Sequence, residues 1–185
     1  CMQVYGGHGF IKEWGMEQFV RDNRINMIYE GTNTIQSLDL LGRKVLGNQG
    51  ATLKKFGKLV GQLVAEEGVN EKMAEFINPI AILGEQMTKF TTEIGFKGMQ
   101  NPDEVGAAAV DYLRVAGHLV FGYLFARMAQ VSLRAIANGS TDPFYTAKLQ
   151  TARFYFAKLF PETVLLMRTA RAGSKVLMDT DAALA

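Results

Sequence analysis

The sequence predicts an all-α protein, an antiparallel helix bundle, on three observations. From Thr52 onward apolar residues recur at intervals of three and four, the spacing of one helix face, and no strand-like alternation competes with it. The stretches are joined by short clusters of Gly, Pro and Asn, which favour antiparallel neighbours. Only 4 prolines occur in 185 residues, and 48% hydrophobic against 21% charged residues supplies a core and excludes wholesale disorder.

Taken in order, Leu53, Phe56, Val60 and Val64 mark a helix ended by Gly68. On it Gly57, Gly61 and Ala65 fall four apart, a row that lets a neighbouring helix approach closely. Lys54, Lys55 and Lys58 are expected in solvent, with a membrane-surface role as the weaker reading of the same basic face. Phe76, Ile80, Leu83, Met87, Phe90 and Ile94 mark a second helix, with Pro79 near its start and Gly95, Gly98, Asn101 and Pro102 closing it. Val110, Leu113, Gly117, Phe121, Leu124, Met128, Val131 and Ala135 form a longer third stripe, expected to pack inward. Asp103 and Glu104 open that helix, and Asn138 and Gly139 stop it. A last region opens at Thr141 or Asp142, places Pro143 in a first turn and runs through Leu149, Ala152, Phe156 and Leu159. Pro161 then either kinks it or starts another helix carrying Val164, Leu165, Met167 and Leu177.

Composition narrows the function classes. Lys plus Arg total 20 against 18 Asp plus Glu, a net charge of +2, which is no electrostatic footprint for nucleic acid. The single cysteine, Cys1, excludes an internal disulfide framework, fits a reducing compartment and makes a cytoplasmic location the expectation. His8 and His118 are too few and too far apart in sequence to suggest a metal site. Leu119 to Ala126 is bounded by His118 and Arg127, so an integral membrane span is not expected. No secretory leader is visible, and a first residue of Cys rather than Met suggests a piece of a longer chain.

Residues 1–48 differ in texture from 49–185, and the boundary between two domains is placed there. Gly6, Gly7, Gly9, Gly15 and Gly31 and the only Trp, Trp14, sit among polar and charged residues between short apolar runs. Clustered glycines mark tight turns or backbone brought close to a ligand. Three elements follow one another: Gln3-Val4-Tyr5-Gly6-Gly7-His8-Gly9-Phe10, then Arg21-Asp22-Asn23-Arg24-Ile25, then Ile28-Tyr29-Glu30-Gly31-Thr32-Asn33-Thr34-Ile35-Gln36. Together they resemble the C-terminal catalytic stretch of the acyl-CoA dehydrogenase flavoprotein family. Residues 48–185 resemble, less specifically, the extra C-terminal helical domain of its large bacterial members, including those acting on methylthiopropanoyl-CoA. Phe144-Tyr145, Ala147-Lys148 and Thr151 to Tyr155 carry that second likeness.

The resemblance implies an FAD-dependent enzyme that forms an α,β double bond in an acyl-CoA and passes electrons to an electron-transfer flavoprotein. It also implies a homodimer. An acyl-CoA oxidase of the same fold and a non-catalytic helical assembly domain are the alternatives. By resemblance Glu30 is the base that removes the α-proton while a β-hydride leaves for flavin N5. The residue type suits the task, because a weakly acidic α-proton calls for a carboxylate in a dry pocket and a hydrogen-bonded carbonyl for the developing enolate. In the family that carbonyl is held by the backbone N–H of the base, here Glu30, and by a ribityl hydroxyl, with Gly31 allowing the chain to turn beside the substrate.

Thr32, Asn33 and Thr34 match flavin-contacting positions at a helix N-terminus. Thr34 departs from the pattern, standing where the family often has Gln or Glu. Gln3, Gly6 and Gly7 match a second flavin element, which reaches the adenine dinucleotide half of a cofactor bound to a neighbouring subunit. The family's flavin site also uses a middle β-domain and an N-terminal helical domain, neither of them in these 185 residues, so the chain alone is expected to be cofactor-free and inactive. Arg21, Asp22 and Arg24 are read as an ion-pair network orienting the catalytic segment, with phosphate contact as the alternative. His8 reads as a turn histidine, His118 as a hydrogen-bonded core histidine, and Trp14 and Tyr29 as packing residues. Ser37, Asp39 and His8 form no nucleophile triad, because no strand-turn-helix elbow surrounds the serine.

Overall fold

The computed structural model describes residues 1–29 and 31–179, and the chain divides into two compact units, Cys1–Gln36 and Ser37–Ala185. The described residues are helical, with no strand among them.

In the first unit a short helical turn, α1 (Gly7–Phe10), leads through a 3-10 turn at Lys12–Trp14 to α2 (Met16–Arg24), and a second 3-10 turn at Ile25–Met27 follows. Gly15, at φ 68, makes the left-handed corner that starts α2. Glu17 in the first turn and Arg21 and Arg24 in the last complement the helix dipole, and Glu17 pairs with Arg21 one turn on at 3.1 Å. Only Gly9 and Glu17 are buried among the described residues here. Gly9 is glycine by necessity, since a Cβ would lie 2.0 Å from the Met2 carbonyl oxygen.

α3 (Asn33–Leu38) runs into a π-helical stretch, Asp39–Leu46, where the Gly47 and Gly50 N–H groups donate to the carbonyls of Gly42 and Val45 five residues back. The wider turn buries Leu41 and Val45 together, so this stretch joins the core of the second unit. Asp39 is held by Arg43 and by Lys44 at 2.9 Å, and these hydrogen bonds, that from Arg43 foremost, bring its carboxyl down to about 2.

The rest of the bundle is α4 (Ala51–Glu67), α5 (Ala74–Gln100), α6 (Asp103–Ala137), α7 (Pro143–Phe154), α8 (Glu162–Ala170) and a short α9 (Lys175–Met178). α6 spans 35 residues, about 52 Å at 1.5 Å per residue, and is the central element on which α5, α7 and α8 pack. All six apolar positions expected on α5, from Phe76 to Ile94, are buried. α5 runs on through Gly95 and Gly98 and ends only at Asn101, whereas the ends expected for α6 and α7 hold. Gly139, at φ 86, closes α6 with N–H donation to Ile136 while Ser140 N–H reaches Ala135, and the Asp142 carboxylate caps α7 by accepting from Phe144 N–H at 2.8 Å. Pro161 starts a new helix, after an unexpected π-helical stretch at Tyr155–Leu159.

Three expectations fail on packing. The α6 stripe does not face inward: Val110, Phe121, Leu124 and Val131 are exposed, and the buried face is Ala108, Ala109, Tyr112, Val115, Leu119, Gly122, Ala126 and Ala129. A helix packed on several sides needs small residues at its closest crossings. At Gly122 a Cβ would stand 2.8 Å from the Phe160 ring and 2.9 Å from Ile80. Conversely, an added Cβ at Gly57 or Gly61 meets nothing within 4 Å, so those glycines mark open space rather than a close helix contact. Near the C-terminus Val164, Leu165 and Leu177 are exposed; Met167 is buried as expected, together with Thr163, Leu166 and Ala170.

Buried polar groups tie the helices together. Burial pushes the Glu67 carboxyl up, but hydrogen bonds from Gln130 (2.6 Å), Asn70 (2.8 Å) and Arg134 (2.6 Å) outweigh it and hold the group below its usual range. His118 is hydrogen-bonded as expected but only half-buried, through Nδ1 to the Tyr155 hydroxyl at 2.9 Å and through Nε2 to Glu162 at 3.0 Å. Burial raises the Tyr155 phenol to about 12. By length and composition α6 is also apolar enough to cross a membrane, which the sequence reading did not expect, and its packing against α5, α7 and α8 accounts for part of that apolar surface.

Candidate active site

Among the described residues the three motifs lie within the first unit, in or beside its helices. Gln3, Gly6 and Gly7 lie at the entrance to α1 and are exposed. Gly6 adopts φ 59, and a Cβ at either Gly6 or Gly7 would meet nothing within 4 Å, so bare backbone faces open space. This is the surface a ligand can approach closely. His8 is exposed and packs edge-on against Trp14 at 5.9 Å between ring centroids, with Tyr5 on the same indole at 6.4 Å. Trp14 thus packs against two neighbouring rings, while it and Tyr29 remain about half exposed.

Among the described residues the ion-pair network expected on α2 shows one pair. Arg21 bonds Glu17, an acid the sequence reading passed over although its spacing of four from Arg21 was visible; Asp22 and Arg24 are exposed on the same helix.

Glu30, the residue assigned as base, lies outside the described residues. Gly31 follows it at φ 99, a left-handed conformation that side chains other than glycine rarely adopt. An added Cβ there would also lie 2.9 Å from Gln36 Nε2, but that is the free end of a flexible side chain, so the dihedral is the stronger constraint. Thr32 then caps α3, its Oγ1 accepting from Ile35 N–H at 3.4 Å, and Asn33 and Thr34 form the first turn, both exposed. The third motif is therefore a left-handed corner joined to a capped helix start. Gln36, unassigned in the motif, sits closest to that corner. Among the described residues no group of His, Cys, Asp or Glu could hold a metal ion.

Two family models match the chain in succession. Residues 1–46 match the acyl-CoA dehydrogenase C-terminal domain, and residues 51–181 match the model described as acetyl-CoA dehydrogenase C-terminal like. The chain belongs to the acyl-CoA dehydrogenase family. It is 35% identical over 165 residues to the 3-methylmercaptopropionyl-CoA dehydrogenase of Ruegeria pomeroyi, covering 87% of this chain and 28% of that protein. It is 25% identical to a broad-specificity linear acyl-CoA dehydrogenase of Mycobacterium tuberculosis (98% of this chain, 31% of that protein) and 28% identical to a butyryl-CoA dehydrogenase of Syntrophomonas wolfei (97% and 30%). The chain thus spans less than a third of the length of these relatives.

The two family models meet between residues 46 and 51, whereas the compact units meet at 36 and 37. The stretch between them is the π-helical segment, which the family dehydrogenase-domain model includes and which packs on α6 through Leu41 and Val45.

Proposed function

We propose that the chain is the C-terminal part of an FAD-dependent acyl-CoA dehydrogenase that introduces an α,β double bond into an acyl-CoA thioester. Residues 1–48 are the end of its catalytic domain and 49–185 an additional helical domain. The observation that carries the reading is the corner at Gly31. A left-handed glycine there is followed at once by the Thr32 cap of α3, a sharp corner leading straight into a helix start. The proposed reaction needs a catalytic carboxylate and a hydrogen-bond donor to the thioester carbonyl side by side.

In this reading the Glu30 carboxylate takes the α-proton, and the Glu30 backbone N–H holds the thioester oxygen as enolate charge develops. When bound, the flavin supplies the two-electron acceptor for the hydride that leaves the β-carbon. Its binding residues are Thr32, Asn33 and Thr34 on one element and Gln3, Gly6 and Gly7 on the other. The open backbone at Gly6 and Gly7 and the exposed start of α3 suit close approach of a phosphate- and hydroxyl-rich cofactor. These residues make one wall of a site; the rest, with the cover for the apolar side chains of residues 1–36, belongs to the remainder of the parent enzyme. Electron-transfer flavoprotein as acceptor, a homodimer and a cytoplasmic location complete the proposal.

The test is Glu30→Gln in the full-length parent. Substrate-dependent flavin bleaching should be abolished with flavin still bound, and bleaching at near wild-type rate would remove Glu30 from the role. Hydrogen peroxide formation in air without an added acceptor would assign the parent to the oxidases instead. The 185-residue chain mixed with FAD should emerge from gel filtration without flavin, and stoichiometric retention would show that the wall is a complete site.

A further inference from the structure

A groove of about 770 Å³ runs between α4 and α5, within the size range of ligand sites and lined by none of the residues assigned to flavin. It explains the row of glycines that packs against nothing: Gly57 and Gly61 line one wall, and an added Cβ at either meets no atom within 4 Å. Buried Val60, Met87 and Leu119 also line it. The polar residues along the α5 wall offer a ligand little, because Thr88, Thr91 and Thr92 donate their hydroxyls to the carbonyls of Gly84, Met87 and Thr88 in their own helix. What remains is an apolar trough with charge at its rim. Lys54 and Lys58 lie one turn apart on α4, and neither forms an ion pair among the described residues; Glu85 is the one acid in the lining. From Lys54 to the lining residue Val64 is about 15 Å along the helix.

We infer that this groove binds an unbranched aliphatic chain bearing a carboxylate, with the head group at Lys54 and Lys58 and the tail along Gly57, Gly61 and Val64. A trough between two helices already in contact suits a linear chain, and the two unpaired ammonium groups select an anionic head over a cationic one. Burying the tail removes apolar surface of both partners from water. The inference stands independently of the flavin chemistry, since it concerns residues 46–119 and needs no cofactor.

Calorimetric titration of the 185-residue chain with dodecanoate below its micellar concentration should show one saturable site, with dodecyltrimethylammonium binding at least tenfold more weakly. The pair Gly57→Leu and Gly61→Leu fills the trough while favouring helix, so it should weaken dodecanoate at least tenfold with the helical circular dichroism intact. The pair Lys54→Glu and Lys58→Glu should reverse the head-group preference. No saturable binding would overturn the inference. So would binding untouched by either pair, which would locate the ligand on the exposed apolar side chains of residues 1–36, or a leucine-sensitive dimer in sedimentation without dodecanoate binding. If the leucine pair does not fold, the glutamate pair decides: an unchanged preference for dodecanoate contradicts the site.

Discussion

Residues 37–179 and residues 1–36 are built from the same kind of local structure and use it in opposite ways. In the bundle a set of large side chains goes inside, with Phe76, Phe90 and Tyr112 at 0% exposure, while others such as Phe121 and Val164 stay exposed. In the N-terminal unit they face out, with Val4 at 87%, Phe10 at 76% and Phe19 at 67%, and no large apolar side chain is buried among the described residues. Yet α2 has its acid at one end, its bases at the other and an ion pair one turn apart, much as a helix of the bundle would. Caps and charges make a helix, but a second layer is needed to make a core. The first 36 residues differ from the bundle in that none of their large apolar side chains is buried among the described residues.

The sharpest way to break this contrast is to delete one phenylalanine on each side. Phe76→Ala, which empties a fully buried site beside the Phe156 ring, should cost about 3–5 kcal/mol in denaturant unfolding. Phe10→Ala should cost less than about 0.5 kcal/mol. Equal costs would mean that residues 1–36 have a core of their own.

Glu67→Gln comes next, at about 2 kcal/mol, because it weakens hydrogen bonds from Gln130, Asn70 and Arg134 at a buried acceptor. Its sign with pH is fixed by the depressed carboxyl. The stabilisation is fully present above the usual 4.5 and is lost as pH falls through the lower folded value, so the substitution should flatten the acid limb of a stability-against-pH curve. A limb as steep as wild type would contradict the assignment. Asp142→Ala removes the α7 cap and should cost about 1 kcal/mol in thermal unfolding. The smallest change is Glu17→Ala, a few tenths of a kcal/mol at about 0.2–0.5, read as lost N-terminal helicity with the unfolding midpoint of the bundle unmoved.

The legible part of the fold was what neighbours in sequence decide. Gly68, Gly139, Asp142 and Pro161 sit at helix ends as read, and α5 buries the stripe assigned to it because one side of that helix does most of the packing. α6 was misread because it is packed by several helices at once. There the largest apolar residues cannot fit at the crossings, and alanines and Gly122 take the interior. The π-helical stretches at Asp39–Leu46 and Tyr155–Leu159 left no signal in a 3.6-residue period. At the site, Gly31 and Thr32 were readable because a left-handed corner and a cap each require a residue type. Glu17 was readable from its spacing of four to Arg21, whereas Gln36 was not, because its surroundings come from the folded turn rather than from a motif.

Hydrogen exchange of the 185-residue chain tests the contrast most directly. Amides of α5 and α6 should exchange only through global opening of the bundle, and those of α2 through local opening at far lower free energy. Protection in α2 equal to that in α5 would contradict the account of residues 1–36 as one wall of a site completed elsewhere.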